Sequence, residues 1–409
     1  MKKSKNKVLG VICLVLIVAF LVSCGQSPED HSGESDNQES TSIQEGKDAT
    51  SNDEALENED EDFTIIDSVP ELNAKEKRAK DILSSMTLEE KVGQMFFVRC
   101  PDAEAVQKIT QYNLGGYILF SRDFKDSTKK QVLENTQSYQ NASKIPMIIG
   151  VDEEGGTVNR ISRYPLFRST PFSSPQSLYR EGGFELITSD TEEKAKLLKS
   201  LGINLNMAPV CDVSENKNDY IYKRTFGKDA KETSLYVKTV TEAMVREKLG
   251  CVLKHFPGYG NNKDTHTGIA YDMRDYETFT SSDFLPFKAG IEAGAGAILV
   301  SHNVVDCMDK EKPASLSKNV HRILREELQF EGVIMTDDLV MEGIRKFTGE
   351  SEAAVMAVLS GNDMLCATNF ESQIPAVISA VNNGEIPIEQ IDDSVLRILI
   401  WKIDLGIIE

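Results

Sequence analysis

From Met86 onward, short apolar runs alternate with amphipathic stretches, so strands and helices take turns along the chain. Eight apolar runs read as strands, at 93–98, 116–120, 146–151, 204–209, 250–255, 295–302, 332–336 and 362–367. Between them, residues 191–201, 232–249, 284–293, 319–327, 350–360 and 391–400 carry apolar side chains at three- and four-residue spacing, which predicts helices. Thr87 with Glu90 three residues later is the signature of a helix start, the threonine capping and the glutamate reaching back. Eight strand–helix units in one domain predict a (β/α)8 TIM-type barrel. A doubly wound open sheet is the alternative, but no Gly-x-Gly-x-x-Gly follows any strand.

The polar residues fall where the runs end. The third run ends at Asp152, the fifth at Lys254-His255, the sixth at His302 and the seventh at Asp337-Asp338. Buried strands running straight into ionisable groups make a poor core, whereas a barrel gathers its functional residues at strand ends. The pattern predicts one site on one face.

The densest chemistry lies in Lys254–His266, where Pro257, Gly258 and Gly260 break regular structure and the loop delivers Asp264-x-His266. Two of the five histidines fall here. A carboxylate near an imidazole can hold its tautomer and keep a proton available near neutral pH, so His266 with Asp264 is a candidate proton donor; a solvated loop histidine is the plain alternative. Asp337 either caps the next helix or faces the site, and Asp338 beside it could supply the cap. A carboxylate nucleophile with a separate proton donor is the minimum for retaining glycoside hydrolysis. Lys254 and His255, as strand neighbours, should point to opposite sides unless the strand end bends. Asp152 and Arg160 flank the Gly155-Gly156 turn, and Arg224 follows the fourth strand in a polar loop. A metal set of His255, Asp264 and His266 matches no common zinc spacing. The acids beside Gly155-Gly156 speak against a phosphate loop.

The chain's ends change the picture of where it works. Lys2, Lys3, Lys5 and Lys7 precede a fifteen-residue apolar run, 8–22, too short for a typical span and suited to a signal segment. The run leads into Ser23-Cys24-Gly25, which resembles a bacterial lipobox; residues 1–23 would be the signal peptide and Cys24 the lipidated first residue, with an uncleaved anchor helix as the alternative. Residues 24–70 carry fifteen acids against Lys47 and read as a disordered tether. Setting aside the −14 of that stretch and the +4 of the signal leaves −10 of the net −20 on the folded part, 71–409. That balance argues against nucleic acid. Cys100, Cys211, Cys251, Cys307 and Cys366 are dispersed, forming no disulfide framework or metal knuckle, and read as buried thiols.

Taken together, the ordered motifs resemble glycoside hydrolase family 3, in its β-N-acetylglucosaminidase branch. They are Gly115–Phe120, Val151–Arg160, Met207–Val213, Arg224–Gly227, the Lys254–His266 loop and Met335–Leu339. The resemblance runs from about Met86 to the C-terminus. It implies a single barrel domain and a retaining two-step mechanism without metal or organic cofactor. Asp337 would attack the anomeric carbon, and His266 with Asp264 would serve as acid and base. Asp152, Arg160, Arg224, Lys254 and His255 would hold the terminal N-acetylglucosamine hydroxyls. Two departures stand out: Tyr259 replaces the family's usual histidine, and three residues rather than four separate Gly260 from Asp264.

The expected function is an exo-acting β-N-acetylhexosaminidase, lipid-anchored to the membrane through Cys24 and exposed outside the cytoplasm. Its expected substrate is an N-acetylglucosamine-containing oligosaccharide or peptidoglycan fragment. Phosphorolysis in place of hydrolysis, and a non-catalytic sugar-binding lipoprotein, are the alternatives.

Overall fold

The computed structural model describes residues 69–262 and 268–409, with side chains from residue 74. The signal segment, Cys24 and the acidic tether lie outside the described residues, as do Asp264 and His266.

Eight short strands form one parallel sheet: β1 (Phe96–Arg99), β2 (Gly116–Leu119), β3 (Ile148–Val151), β4 (Leu205–Asn206), β5 (Gly250–Phe256), β6 (Ala297–Val300), β7 (Val333–Thr336) and β8 (Leu365–Ala367). Their order is β8-β1-β2-β3-β4-β5-β6-β7, every pairing parallel. A bridge between Met335 and Met364 joins the two ends, and Thr336 N–H donates to Met364 C=O at 3.1 Å. The sheet closes on itself as the expected (β/α)8 barrel. Almost every strand residue is buried, which is why the runs are continuously apolar and not alternating. Phe97 shows how the strands fill their own interior. Its ring lies 2.8 Å from where a Cβ on Gly116 would stand and 2.7 Å from one on Gly150, so only glycine fits beside it.

Helices α1 (Val69–Ser84) and α2 (Leu88–Gln94) precede the barrel. After each strand comes one of α3 (Ala105–Tyr112), α4 (Lys129–Ala142), α5 (Pro175–Ser200), α6 (Ala230–Arg246), α7 (Phe284–Glu292), α8 (Lys318–Arg322), α9 (Glu350–Ser360) and α10 (Phe370–Asn382), and α11 (Ile388–Asp404) closes the chain. The reciprocal Thr87–Glu90 cap is present, with Glu90 N donating to Thr87 Oγ1 at 3.3 Å and Thr87 N to Glu90 Oε2 at 3.0 Å. That cap carries α2 through Gly93 and Gln94, so the first strand begins at Phe96 rather than 93. A Cβ on Gly93 would stand 2.2 Å from Tyr112 O, which explains the glycine near the helix end. Helix α4 escapes a periodicity reading because only Val132 and Thr136 on it are buried. Helix α5 is broken at Gly182–Gly183, and only its second half reads as a helix in sequence. Four of the five dispersed cysteines are buried; Cys307 is exposed, a correction, since it follows β6 in a loop outside the core.

Candidate active site

The C-terminal ends of the strands surround a cleft of about 420 Å³, within the range of small-ligand sites. Asp152, Arg160, Arg224, Lys254, His255 and Asp337 all line it. The six come from four strand ends or the loops that follow them, and chain separations of up to 102 residues are closed to hydrogen-bond distance.

Lys254 stands at the centre, buried to 3% exposure. Its Nζ donates to Asp152 Oδ1 at 2.8 Å and lies 2.7 Å from Glu154 Oε1. Arg224 grips the same Glu154 with a two-pronged contact, Nε to Oε2 at 3.0 Å and Nη2 to Oε1 at 2.7 Å. Arg160 Nη2 reaches Asp152 Oδ2 at 3.4 Å. Burial alone would raise both acids, yet Lys254 and Arg160 outweigh it at Asp152, and Arg224 and Lys254 outweigh it at Glu154. Both carboxyls are therefore held below their ordinary range. Burial would likewise depress Lys254, but Asp152 and Glu154 more than offset it and raise the ammonium. The cleft wall is an array of charges fixed before any ligand arrives.

Lys254 and His255 do face the same cleft. The register against β6 shifts between Leu253 and Phe256, so strict strand alternation fails at this end, and the Lys254–His255 peptide is cis. His255 Nε2 lies 3.0 Å from Arg224 Nη2, and its Nδ1 lies 2.8 Å from Asp212 Oδ2. Asp212, fully buried, also accepts from the backbone N–H of His255 (3.2 Å) and of Tyr259 (2.7 Å). Tyr259, in place of the family's histidine, is buried and sets its ring edge-on to His255, with centroids 5.2 Å apart.

Asp337 and Asp338 both line the cleft, and Asp338 does not supply the expected helix cap: the next helix, Glu342–Arg345, has Met341 at its N-cap. Asp338 accepts from Val340 N (3.1 Å), Thr368 N (3.2 Å) and the Thr368 hydroxyl (2.6 Å), and its carbonyl lies 3.0 Å from His302 Nε2. Burial pushes its carboxyl up, only partly countered by these donors. Asp337, one residue after β7, takes a single hydrogen bond among the described residues, from Asp338 N–H at 2.8 Å. It reaches the cleft with its carboxylate otherwise uncommitted.

The root of the Asp264–His266 loop is clamped from below. Arg274 donates to Gly258 O (3.0 Å), Asp272 Oδ2 (2.7 Å) and Asp283 Oδ1 (2.9 Å). A Cβ on Gly260, where φ is +51°, would fall 2.4 Å from the Arg274 guanidinium carbon, so glycine is required both for the turn and for the close approach. Burial pushes Asp283 up to about 6 despite Arg274.

Sequence reasoning left Glu154, Asp212 and Phe120 without roles, and Arg99 unnoticed. Arg99 and Arg160 both lie over the Phe120 ring, at 4.9 and 5.6 Å, on the cleft wall. Asp212 sits inside the Met207–Val213 motif just past β4, and that position was the one available signal.

The pattern of the "Glycosyl hydrolase family 3 N terminal domain" matches residues 87–400. The chain belongs to this family. Among curated relatives, a beta-hexosaminidase of Xylella fastidiosa is 32% identical over 256 residues, covering 60% of this chain and 74% of its own length. Beta-hexosaminidase A of Pseudoalteromonas piscicida is 29% identical over 332 residues, 74% of this chain but only 55% of that protein. Among solved structures, a family 3 beta-N-acetylglucosaminidase from Paenibacillus sp. str. FPU-7 superposes with a TM-score of 0.73 at 30% identity, covering 79% of this chain and 63% of that one. This chain thus spans little more than half to two thirds of some of its relatives. A beta-N-acetylhexosaminidase from Beutenbergia cavernae is matched over 98% of its length, with a TM-score of 0.68 and 25% identity.

Proposed function

We propose that this protein is a retaining exo-β-N-acetylhexosaminidase that removes terminal β-linked N-acetylglucosamine from cell-wall or chitin-type oligosaccharides. The observation that carries the reading is Asp337, whose carboxylate takes one hydrogen bond among the described residues, in the same cleft as cations and acids already paired with one another. The wall holds the sugar's hydroxyls through Asp152, Arg160, Arg224, Lys254 and His255. Asp337 attacks the anomeric carbon and the glycosidic bond breaks, leaving a glycosyl ester on Asp337. His266, held by Asp264, gives its proton to the departing oxygen, then takes one from the water that releases the sugar. The relatives named beta-hexosaminidase and beta-N-acetylglucosaminidase support this substrate class, and the lipobox-like Cys24 supports a lipid-anchored location outside the cytoplasm.

The test is release of nitrophenol from 4-nitrophenyl β-N-acetylglucosaminide by the full chain, with and without phosphate. Asp337→Ala should abolish turnover of every glycoside, a loss of about 10⁴-fold or more, while retaining N-acetylglucosamine binding. No release by the wild type with sugar binding intact would leave a sugar-binding protein. A sugar 1-phosphate formed only with phosphate would replace hydrolysis by phosphorolysis.

A further inference from the structure

The contacts of His255 determine where its ring proton sits. Arg224 Nη2 is 3.0 Å from Nε2, and a guanidinium carries only N–H donors. Nε2 must therefore accept, which puts the ring proton on Nδ1, and that nitrogen meets Asp212 Oδ2 at 2.8 Å. We propose that Asp212 is a positioning residue that fixes His255 as the Nδ1–H tautomer, so that Nε2 accepts from Arg224 and holds that guanidinium at the cleft wall. The same carboxylate ties down the turn leading to the Asp264–His266 loop, because its Oδ1 accepts from Tyr259 N–H at 2.7 Å. One buried acid thus sets the His255–Arg224 contact and the root of the loop together.

The consequence for the ligand rests on the sugar-cleft reading. With the single Nε2 lone pair taken by Arg224, His255 acts on the ligand through that guanidinium, whose place beside Glu154 it helps to fix.

Asp212→Asn is a sharp probe because it keeps the shape and loses one acceptor. If its oxygen turns to Tyr259, its NH₂ faces Nδ1 and drives the ring proton to Nε2, against the Arg224 donor. If its oxygen turns to His255, the NH₂ meets the Tyr259 N–H and the turn is pushed away. The decisive measurement is ¹⁵N NMR of the imidazoles in the full chain, the His255 signal being assigned by its loss in His255→Gln. The wild type should show Nδ1 protonated and Nε2 bare. Asp212→Asn should shift the proton to Nε2 or populate both tautomers, and weaken N-acetylglucosamine binding about 10- to 100-fold, raising KM more than it lowers kcat. A wild-type His255 protonated on Nε2 overturns the proposal, as does an Asp212→Asn protein with unchanged tautomer and affinity. Should that variant fail to fold, the wild-type spectrum still decides. An inactive wild type with the expected tautomer would count against the hydrolase reading and leave this one standing.

Discussion

Three lysines are buried among the described residues, Lys194 beside Asp190, Lys254 and Lys402, and the last two are treated in opposite ways. Lys254, at the C-terminal end of β5, has carboxylates at 2.7 and 2.8 Å and keeps its charge. Lys402, on α11, is fully buried with the neutral side-chain oxygen of Gln94 at 2.7 Å, and burial lowers its ammonium to about 7. Desolvation is the largest influence on each; partners decide the outcome. A buried cation surrounded by acids is held as a charge to be used, whereas one without them is close to giving its charge up. A polar residue in a core is therefore not by itself a sign of function, and the acids around it are what distinguish the two.

The most severe break in this contrast is Lys254→Met. It strands Asp152 and Glu154 beside one another without their shared cation, and the expected result is a fall of about 10³-fold or more in kcat/KM with a loss of roughly 3–5 kcal/mol in stability. Glycoside kinetics and urea unfolding check it. A variant that keeps both would show that Arg160 and Arg224 suffice and that Lys254 is not the keystone.

Lys402→Met should leave kinetics unchanged and act on stability alone. Below pH 7 the wild-type ammonium is charged in both states and bears its full burial cost. Between about 7 and 10.5 the folded state holds it neutral while the unfolded chain still binds the proton, so stability rises with pH by at most about 4 kcal/mol over three pH units. The variant lacks that rise. Unfolding curves at pH 7 and pH 9.5 test this: the variant should be the more stable by a few kcal/mol at pH 7, with the gap narrowing at the higher pH. A constant gap would mean that Lys402 does not titrate in this window.

The smallest effect should come from Gln94→Glu, which gives Lys402 the kind of partner Lys254 already has. The gain from pairing and the cost of burying a second charge nearly cancel, so stability at pH 7 should move by no more than about 1–2 kcal/mol. The rise in stability between pH 7 and 9.5 should shrink, because the ammonium now stays charged in the fold. Comparing the wild-type and variant slopes checks it.

The barrel was legible because each strand is a short apolar run, and β3, β5, β6 and β7 lead into ionisable residues. Asp152, Lys254, His255 and Asp337 announce themselves by following such runs. Helix α4 was not legible, since its exposed face supplies most of its residues. The pairings were not legible either: Glu154 meets Arg224 across 70 residues and Asp212 meets His255 across 43, separations that only barrel closure resolves. Lys402 looks in sequence like any charge on an amphipathic helix, and only burial gives it away. The Asp264–His266 pair, read from sequence with its altered spacing, lies outside the described residues and keeps its role as a proposal.

The Arg274 clamp has a use beyond holding a turn. By binding Gly258 O on one side of the Asp264–His266 segment and Asp272 and Asp283 on the other, it defines a removable cassette whose two anchor points meet at one guanidinium. A protein engineer could exchange the stretch between Asn262 and Ala270, or lengthen it by one residue, without recutting β5 or the charged wall of the cleft.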